Sequence, residues 1–288
     1  MLEFRILGPL EVVGDHGPIR LGGPRQRATL AILLLNANRV VSIDRLGDDL
    51  YAGAPPVTAV TQVQRQISEL RKALGPGSTI ETRTPGYALL LAPEQLDLTR
   101  FEQATVAGTR ALGRGDADAS AQQLREALAL WRGQPLAELA DEPFARPAIE
   151  RLEELRLDAL GQRVEAELAL GRDSEIVAEL GQLVTEHPFR ESFCRQLMLA
   201  LYRSGRQAEA LDVYRRTRQR LAEELGLEPN PVLRELERAI LAQEVLLEPQ
   251  PGSTGHASGG TVLLVRRTPL GSTISWPSYV RWREPPTS

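Results

Sequence analysis

The first 21 residues alternate apolar and polar positions. Leu2, Phe4 and Ile6 are interleaved with Glu3 and Arg5, Gly8-Pro9 interrupts, Leu10 and Val12 follow, and a turn at Gly14 to Pro18 precedes Ile19 and Leu21. A period of two punctuated by glycine and proline predicts a small antiparallel sheet with one wet face. From about Arg25 the period becomes helical, with Leu30, Leu33 and Leu34 inward and Asn36 to Asn38 ending the run. A shorter helix starts at Ser42, an N-cap residue type, and turns Ile43, Leu46 and Leu50 inward. The Ala52-Gly53-Ala54-Pro55-Pro56 stretch stops it, and a third helix runs from near Val57 to Gly75-Pro76. At 100° per residue, Val60, Val63, Ile67, Leu70 and Leu74 form its buried stripe. Thr61, Gln62, Arg65, Ser68, Glu69 and Lys72 occupy the opposite face, while Gln64 and Arg71 fall nearer the buried edge. Ile80 and Thr82, then Tyr87, Leu89 and Leu91, alternate around Thr84-Pro85-Gly86-Tyr87, which fits a type II turn and places Arg83 beside a hairpin tip.

Strands, three helices and a terminal hairpin define a winged helix-turn-helix over residues 1–92, an α+β head. Such a head places its third helix in the major groove and its hairpin along the neighbouring groove. The predicted base-facing set is Arg65, Ser68, Glu69 and Lys72, with Thr61 and Gln62 at the groove entrance and Arg83 and Thr84 on the wing. Arg25 and Arg27, opening the first helix, are candidate phosphate contacts.

Behind the head the pattern is all-helical. Gly171 and Gly205 lie 34 residues apart, each followed by arginine, with Ile176 and Ala210 five residues on and Leu180 and Tyr214 nine on. A weaker copy starts at Gly115, with Ser120, Leu124 and Ala127. These offsets fit a tetratricopeptide-like repeat or, on a plainer reading, antiparallel helix pairs with glycine turns. Further helices are predicted over Leu98 to Leu112, Pro143 to Leu170 and Pro231 to Leu247, and the Trp131 to Leu136 stretch reads as a turn carrying a packing tryptophan. The helical domain is expected over 97–247, with a Gly-, Pro- and Ser-rich disordered tail at 248–288.

Composition narrows the chemistry. The 288 residues carry 34 basic and 38 acidic side chains, and the only lysine is Lys72. Without a lysine after glycine there is no P-loop, and lysine-based catalysis has no second candidate. The single cysteine, Cys194, reads as a small buried apolar residue, and His16, His187 and His256 lie far apart in sequence, so neither a disulfide nor a zinc site is expected. No nucleophile–base constellation is apparent, so neither an enzyme nor a cofactor is expected. The longest apolar run is too short to span a membrane, and a soluble cytoplasmic protein is expected. Residues 1–92 carry +2, residues 93–248 carry −9 and residues 249–288 carry +3. A mildly basic head on an acidic body suits a nucleic-acid reader with a partner-binding module.

The stretch TQVQRQISELRKAL (residues 61–74) with the following TRTPGYALL resembles the winged-helix output domain of OmpR-type response regulators. The whole order resembles the Streptomyces antibiotic regulatory proteins, whose second half is the bacterial transcriptional activation domain. The matching residues are Phe4-Arg5-Ile6-Leu7-Gly8-Pro9-Leu10, Pro24-Arg25-Gln26-Arg27-Ala28, Pro55-Pro56, Ile67 to Leu74, Leu130-Trp131-Arg132-Gly133, Tyr202 to Leu225, and Gly226-Leu227-Glu228-Pro229. The resemblance implies a transcriptional activator of a secondary-metabolite gene cluster. It would bind tandem direct repeats on double-stranded DNA as a homodimer and recruit RNA polymerase holoenzyme, including its sigma factor. It also makes Ala52, Gly53, Ala54, Pro55 and Pro56 the candidate polymerase contact. One departure is Glu69, where related sequences often carry arginine; a glutamate there could accept from a cytosine amino group. The competing expectation is a helical-repeat adaptor whose winged helix binds protein.

Overall fold

The computed structural model describes residues 2–75 and 79–243. These fall within one compact unit, Met1–Pro251. The expected 248–288 tail, with Trp276, Arg281, Trp282 and Arg283, lies outside the described residues.

The head begins with a three-stranded antiparallel sheet, β1 (Glu3–Arg5), β2 (Glu11–Gly14) and β3 (Gly17–Pro18), in sequence order. Its alternation puts Phe4 and Val12, which are register partners, into the core. Three helices follow: α1 (Pro24–Leu35), α2 (Ile43–Leu50) and α3 (Ala59–Leu74). Helix α1 has proline in its first turn, where the missing N–H costs nothing. It is buried almost all round, every residue from Ala28 to Leu34 being covered, because the body packs on the side a lone head would leave wet. Ser42 caps α2 by accepting from Arg45 N–H at 3.2 Å. Asn38, in the left-handed region after α1, substitutes for a strand by exchanging hydrogen bonds with the Leu91 backbone at 2.8 and 3.1 Å.

A second antiparallel sheet has the order β4 (Val41–Ser42), β6 (Gly86–Leu89), β5 (Ile80–Arg83). The pairing of Arg83 with Gly86 makes Thr84 and Pro85 the tip, joined by a cis peptide bond. The turn therefore sits one residue earlier than the type II turn expected from Pro85-Gly86. Gly86 is a strand residue, needed because β4 crosses it closely: a Cβ there would lie 1.9 Å from the Val41 carbonyl oxygen.

The body consists of α4 (Asp97–Gly113), α5 (Ala117–Leu128), α6 (Arg146–Ala169), α7 (Asp173–Glu186), α8 (Glu191–Arg203), α9 (Gln207–Leu225) and α10 (Pro231–Leu241). Gly115, Gly171 and Gly205 stand at the α4–α5, α6–α7 and α8–α9 corners with φ of 81°, 71° and 76°, where glycine relieves the Cβ penalty of a left-handed helix end. The residues at matching offsets, Ser120 and Leu124, Ile176 and Leu180, and Ala210 and Tyr214, are all buried. The period seen in the sequence is thus a succession of helical hairpins, giving a winged helix-turn-helix followed by a tetratricopeptide-like helical domain.

Head and body share their cores. Leu136, Leu139, Ala145 and Ile149 of the body join the head cluster, and Leu7 of the head packs with Phe101, Leu124 and Leu152. The Trp131 to Leu136 stretch does more than turn the chain. Trp131 stacks edge-on against Phe101 with ring centroids 5.4 Å apart, and the stretch then docks onto the β1–β2 corner. Arg132 N–H donates to Leu7 O at 2.8 Å, Leu136 N–H donates to Gly8 O at 2.7 Å, and the Arg132 guanidinium donates to Pro9 O at 3.0 Å. Gly8 fits this approach because a Cβ there would come within 2.9 Å of Arg132 Cβ.

Candidate nucleic-acid interface

Helix α3 buries Ala59, Val63, Ile67, Leu70 and Leu74. Val60, expected in that stripe, is exposed instead in the first turn of the helix, where Ala59 takes the inward position. Opposite the stripe, Thr61, Gln64, Arg65, Ser68 and Lys72 are exposed. They form one polar row at helical spacing, with hydroxyl, amide, guanidinium and ammonium tips. Gln64 belongs to this row, not to the buried edge.

Glu69 is half-buried and bonded to Arg65, whose Nε donates to Oε1 at 2.8 Å. Gln62 is turned away from the row. It accepts from the Tyr51 hydroxyl, and its Nε2 donates to Thr58 Oγ1 at 3.0 Å. The Tyr51 ring in turn carries the Arg25 guanidinium 4.2 Å from its centroid, so Arg25 is fixed at the N-terminal end of α3 while remaining exposed. Tyr51 is the organising residue that the sequence reading missed; the one available signal is an aromatic directly before the Ala52–Pro56 loop.

Arg71 ties α3 to the wing: its guanidinium donates to Ile80 O at 2.9 and 3.1 Å and to Thr82 Oγ1 at 2.9 Å. The wing's own Arg83 is exposed beside the tip, paired with Glu81 at 2.8 Å, and Thr84 is exposed at the tip itself. The Ala52–Pro56 loop and Val57 are exposed, Val57 fully so.

Arg27 is placed differently from the expectation. It bonds Glu138 of the body at 2.6 Å and Leu10 O at 3.0 Å. Those bonds hold its guanidinium at the head–body seam, a placement that favours a structural role over the expected phosphate contact. The seam is otherwise built from carboxylates on strand-end N–H groups. Buried Asp97 accepts from Ile6 N–H and Leu7 N–H at 2.9 Å, and Glu138 accepts from Leu10 N–H at 3.0 Å.

Among the described residues, no group of three His, Cys, Asp or Glu side chains could hold a metal ion, and no helix is long and apolar enough to cross a membrane. Cys194 is buried against Thr217, whose hydroxyl donates to its sulfur at 3.3 Å, and burial pushes its thiol pKa up.

A winged helix with an exposed polar third helix, fused to a helical hairpin array, defines the class of winged-helix transcription regulators. Residues 96–241 match the bacterial transcriptional activator domain. The chain is 40% identical to the transcriptional regulatory protein EmbR of Mycobacterium tuberculosis over 268 residues, covering 91% of this chain and 69% of EmbR. It is 40% identical to the regulatory protein AfsR of Streptomyces coelicolor, covering 95% of this chain but 27% of AfsR. It is 34% identical to the regulatory protein DnrI of Streptomyces peucetius, covering 83% of this chain and 92% of DnrI. A solved structure of M. tuberculosis EmbR in complex with a low-affinity phosphopeptide superimposes with a TM-score of 0.82 at 39% identity, covering 87% of this chain and 66% of that one. The chain thus spans about two thirds of EmbR and about a quarter of AfsR. It belongs to the Streptomyces antibiotic regulatory protein family of transcriptional regulators.

Proposed function

We propose that this regulator is a sequence-specific DNA-binding activator that reads the major groove with α3 and a flanking groove with the wing. The observation that carries the reading is the exposed row Thr61, Gln64, Arg65, Ser68 and Lys72, held beside Arg83 by the Arg71 tether to β5. Arg65 and Gln64 are suited to base edges, Lys72 and Arg25 to phosphates, and Arg83 with Thr84 to the flanking groove. With Glu69 and Glu81 partly neutralising this face, non-specific affinity is low, and occupancy depends on two protomers on tandem direct repeats about one helical turn apart. The exposed Ala52–Pro56 loop, continued by Val57 and Val60, is the surface offered to RNA polymerase holoenzyme and its sigma factor. The target, on the family resemblance, is a secondary-metabolite gene cluster.

The test is to incubate purified protein with fragmented genomic DNA of its source at two salt concentrations and to sequence what is retained. The expected result is enrichment of direct repeats one turn apart upstream of such a cluster, falling steeply with salt. Retention of no sequence at either salt would overturn the reading in favour of a protein-binding adaptor, the alternative that the two acidic partners on this face favour. Replacing Ala52 to Pro56 with a serine-glycine stretch should leave DNA binding intact and abolish activation in a reconstituted transcription assay. Normal activation would remove the loop from that role.

A further inference from the structure

The Arg65–Glu69 ion pair on α3 is made through Nε of the guanidinium. Among the described residues, no other partner is bonded to the terminal nitrogens of Arg65 or to the second carboxylate oxygen of Glu69. The pair thus fixes both side chains and leaves each with an unused recognition edge. On Arg65 that edge is a two-pronged N–H fork, which matches O6 and N7 of guanine; on Glu69 it is a single strong acceptor. The two side chains are 75% and 39% exposed, so both are within reach of a ligand on this face.

Residues four apart on a helix stand about one turn, or roughly 5–6 Å, from each other. Stacked bases repeat about every 3.4 Å, so the two edges meet base pairs one or two steps apart. A carboxylate in the major groove is repelled by the acceptors of guanine and thymine, and adenine sets an N7 acceptor beside its amino group. Cytosine offers the N4 amino donor alone.

We propose that Arg65 and Glu69 act as one reading unit, in which Glu69 selects a cytosine one or two steps from the guanine taken by Arg65 while steadying the Arg65 fork through Nε. This rests on the DNA-binding reading above. It assigns Glu69 a cost as well as a role: the carboxylate repels phosphates on every sequence, so it lowers general affinity while raising selectivity.

The experiment is selection from a randomised duplex library by the full chain, in parallel with Glu69→Ala and Glu69→Gln. The wild-type protein is expected to enrich a guanine and a cytosine one or two steps apart. Glu69→Ala should hold random DNA more tightly and lose about tenfold of its preference at the cytosine position. Glu69→Gln should admit adenine there, since an amide pairs with both the amino group and N7 of adenine. If both variants select the wild-type sequence with unchanged preference, even with affinity raised on all DNA, Glu69 is only a solvated helix ion pair and the proposal is overturned. Enrichment of no sequence by the wild-type protein would overturn the DNA-binding reading itself and this inference with it. Thermal unfolding of both variants should match the wild type, because an exposed i,i+4 pair contributes little to stability.

Discussion

The same pair of residue types, arginine and a carboxylate, builds two regions of opposite character. At the head–body seam, Asp97 is buried and Glu138 lies at the exposed rim, and each accepts backbone N–H groups from the β1–β2 corner while Arg27 pairs with Glu138 and Arg132 with Asp97. On the α3 face, Arg65 and Arg83 are exposed, and each is paired with an acid on its own element. Burial decides the difference. At buried Asp97, losing a partner strands a polar group away from water and costs its full desolvation; on the exposed face, water replaces the partner and only a few tenths of a kcal/mol is at stake. The seam therefore bears on stability, and the exposed face is the one proposed for recognition.

The sharpest way to break this contrast is to substitute Asp97. Asp97→Ala leaves the Ile6 and Leu7 N–H groups without an acceptor and should destabilise the protein by about 3 kcal/mol. Chemical denaturation checks this, and a loss below about 1 kcal/mol would show that the seam is not held by this carboxylate. Next in size is Arg65→Ala, which should leave stability unchanged and cost ~1–3 kcal/mol of binding at its base position, read by titration on a selected site.

Acid sensitivity provides a smaller test. Burial raises the pKa of Glu138, but the Arg27 guanidinium and the Leu10 N–H that donate to it outweigh burial and hold it below its ordinary 4.5. A depressed folded pKa contributes stability that is present above the unfolded value and is lost as pH falls through the folded one. Glu138→Gln should thus lower stability at neutral pH by about 1 kcal/mol and remove part of the acid-induced loss below pH 4.5. Asp97 has the opposite sign: burial raises its pKa above 3.8 despite its N–H donors and Arg132, so its share weakens as pH rises through the raised value. Unfolding curves across pH for the wild type and Glu138→Gln read this out, and superimposable pH profiles would contradict it. Smallest of all, Lys72→Ala should weaken binding evenly across sequences and reduce the salt slope by about 1.

Element order was legible because local patterns carry it: alternation for Phe4 and Val12, the helical stripe of Val63, Ile67, Leu70 and Leu74, and glycines at the hairpin corners. The α3 row was legible in Thr61, Arg65, Ser68 and Lys72, but Gln64 was left out of it, and Gln62, which turns to Tyr51 and Thr58, was counted in. What the sequence hid was nonlocal. Arg25 and Arg27 look equivalent two residues apart, yet one stacks on Tyr51 and the other reaches Glu138, 111 residues away. Trp131 to Leu136 read as a turn because its partners, the Leu7, Gly8 and Pro9 carbonyls, lie at the other end of the chain. Gly86 looked like a turn glycine because proximity to the β4 backbone leaves no mark in its neighbours.

The central claim is that exposed Arg65 reads DNA while Arg27, an arginine of the same head, serves the seam. Binding of wild type, Arg65→Ala and Arg27→Ala to one selected duplex at fixed salt tests it directly by fluorescence anisotropy. The account predicts a loss of about tenfold or more for Arg65→Ala. For Arg27→Ala it predicts affinity within about twofold of wild type, with lowered thermal stability. Equal losses of affinity for the two variants, or a greater loss for Arg27→Ala, would contradict it.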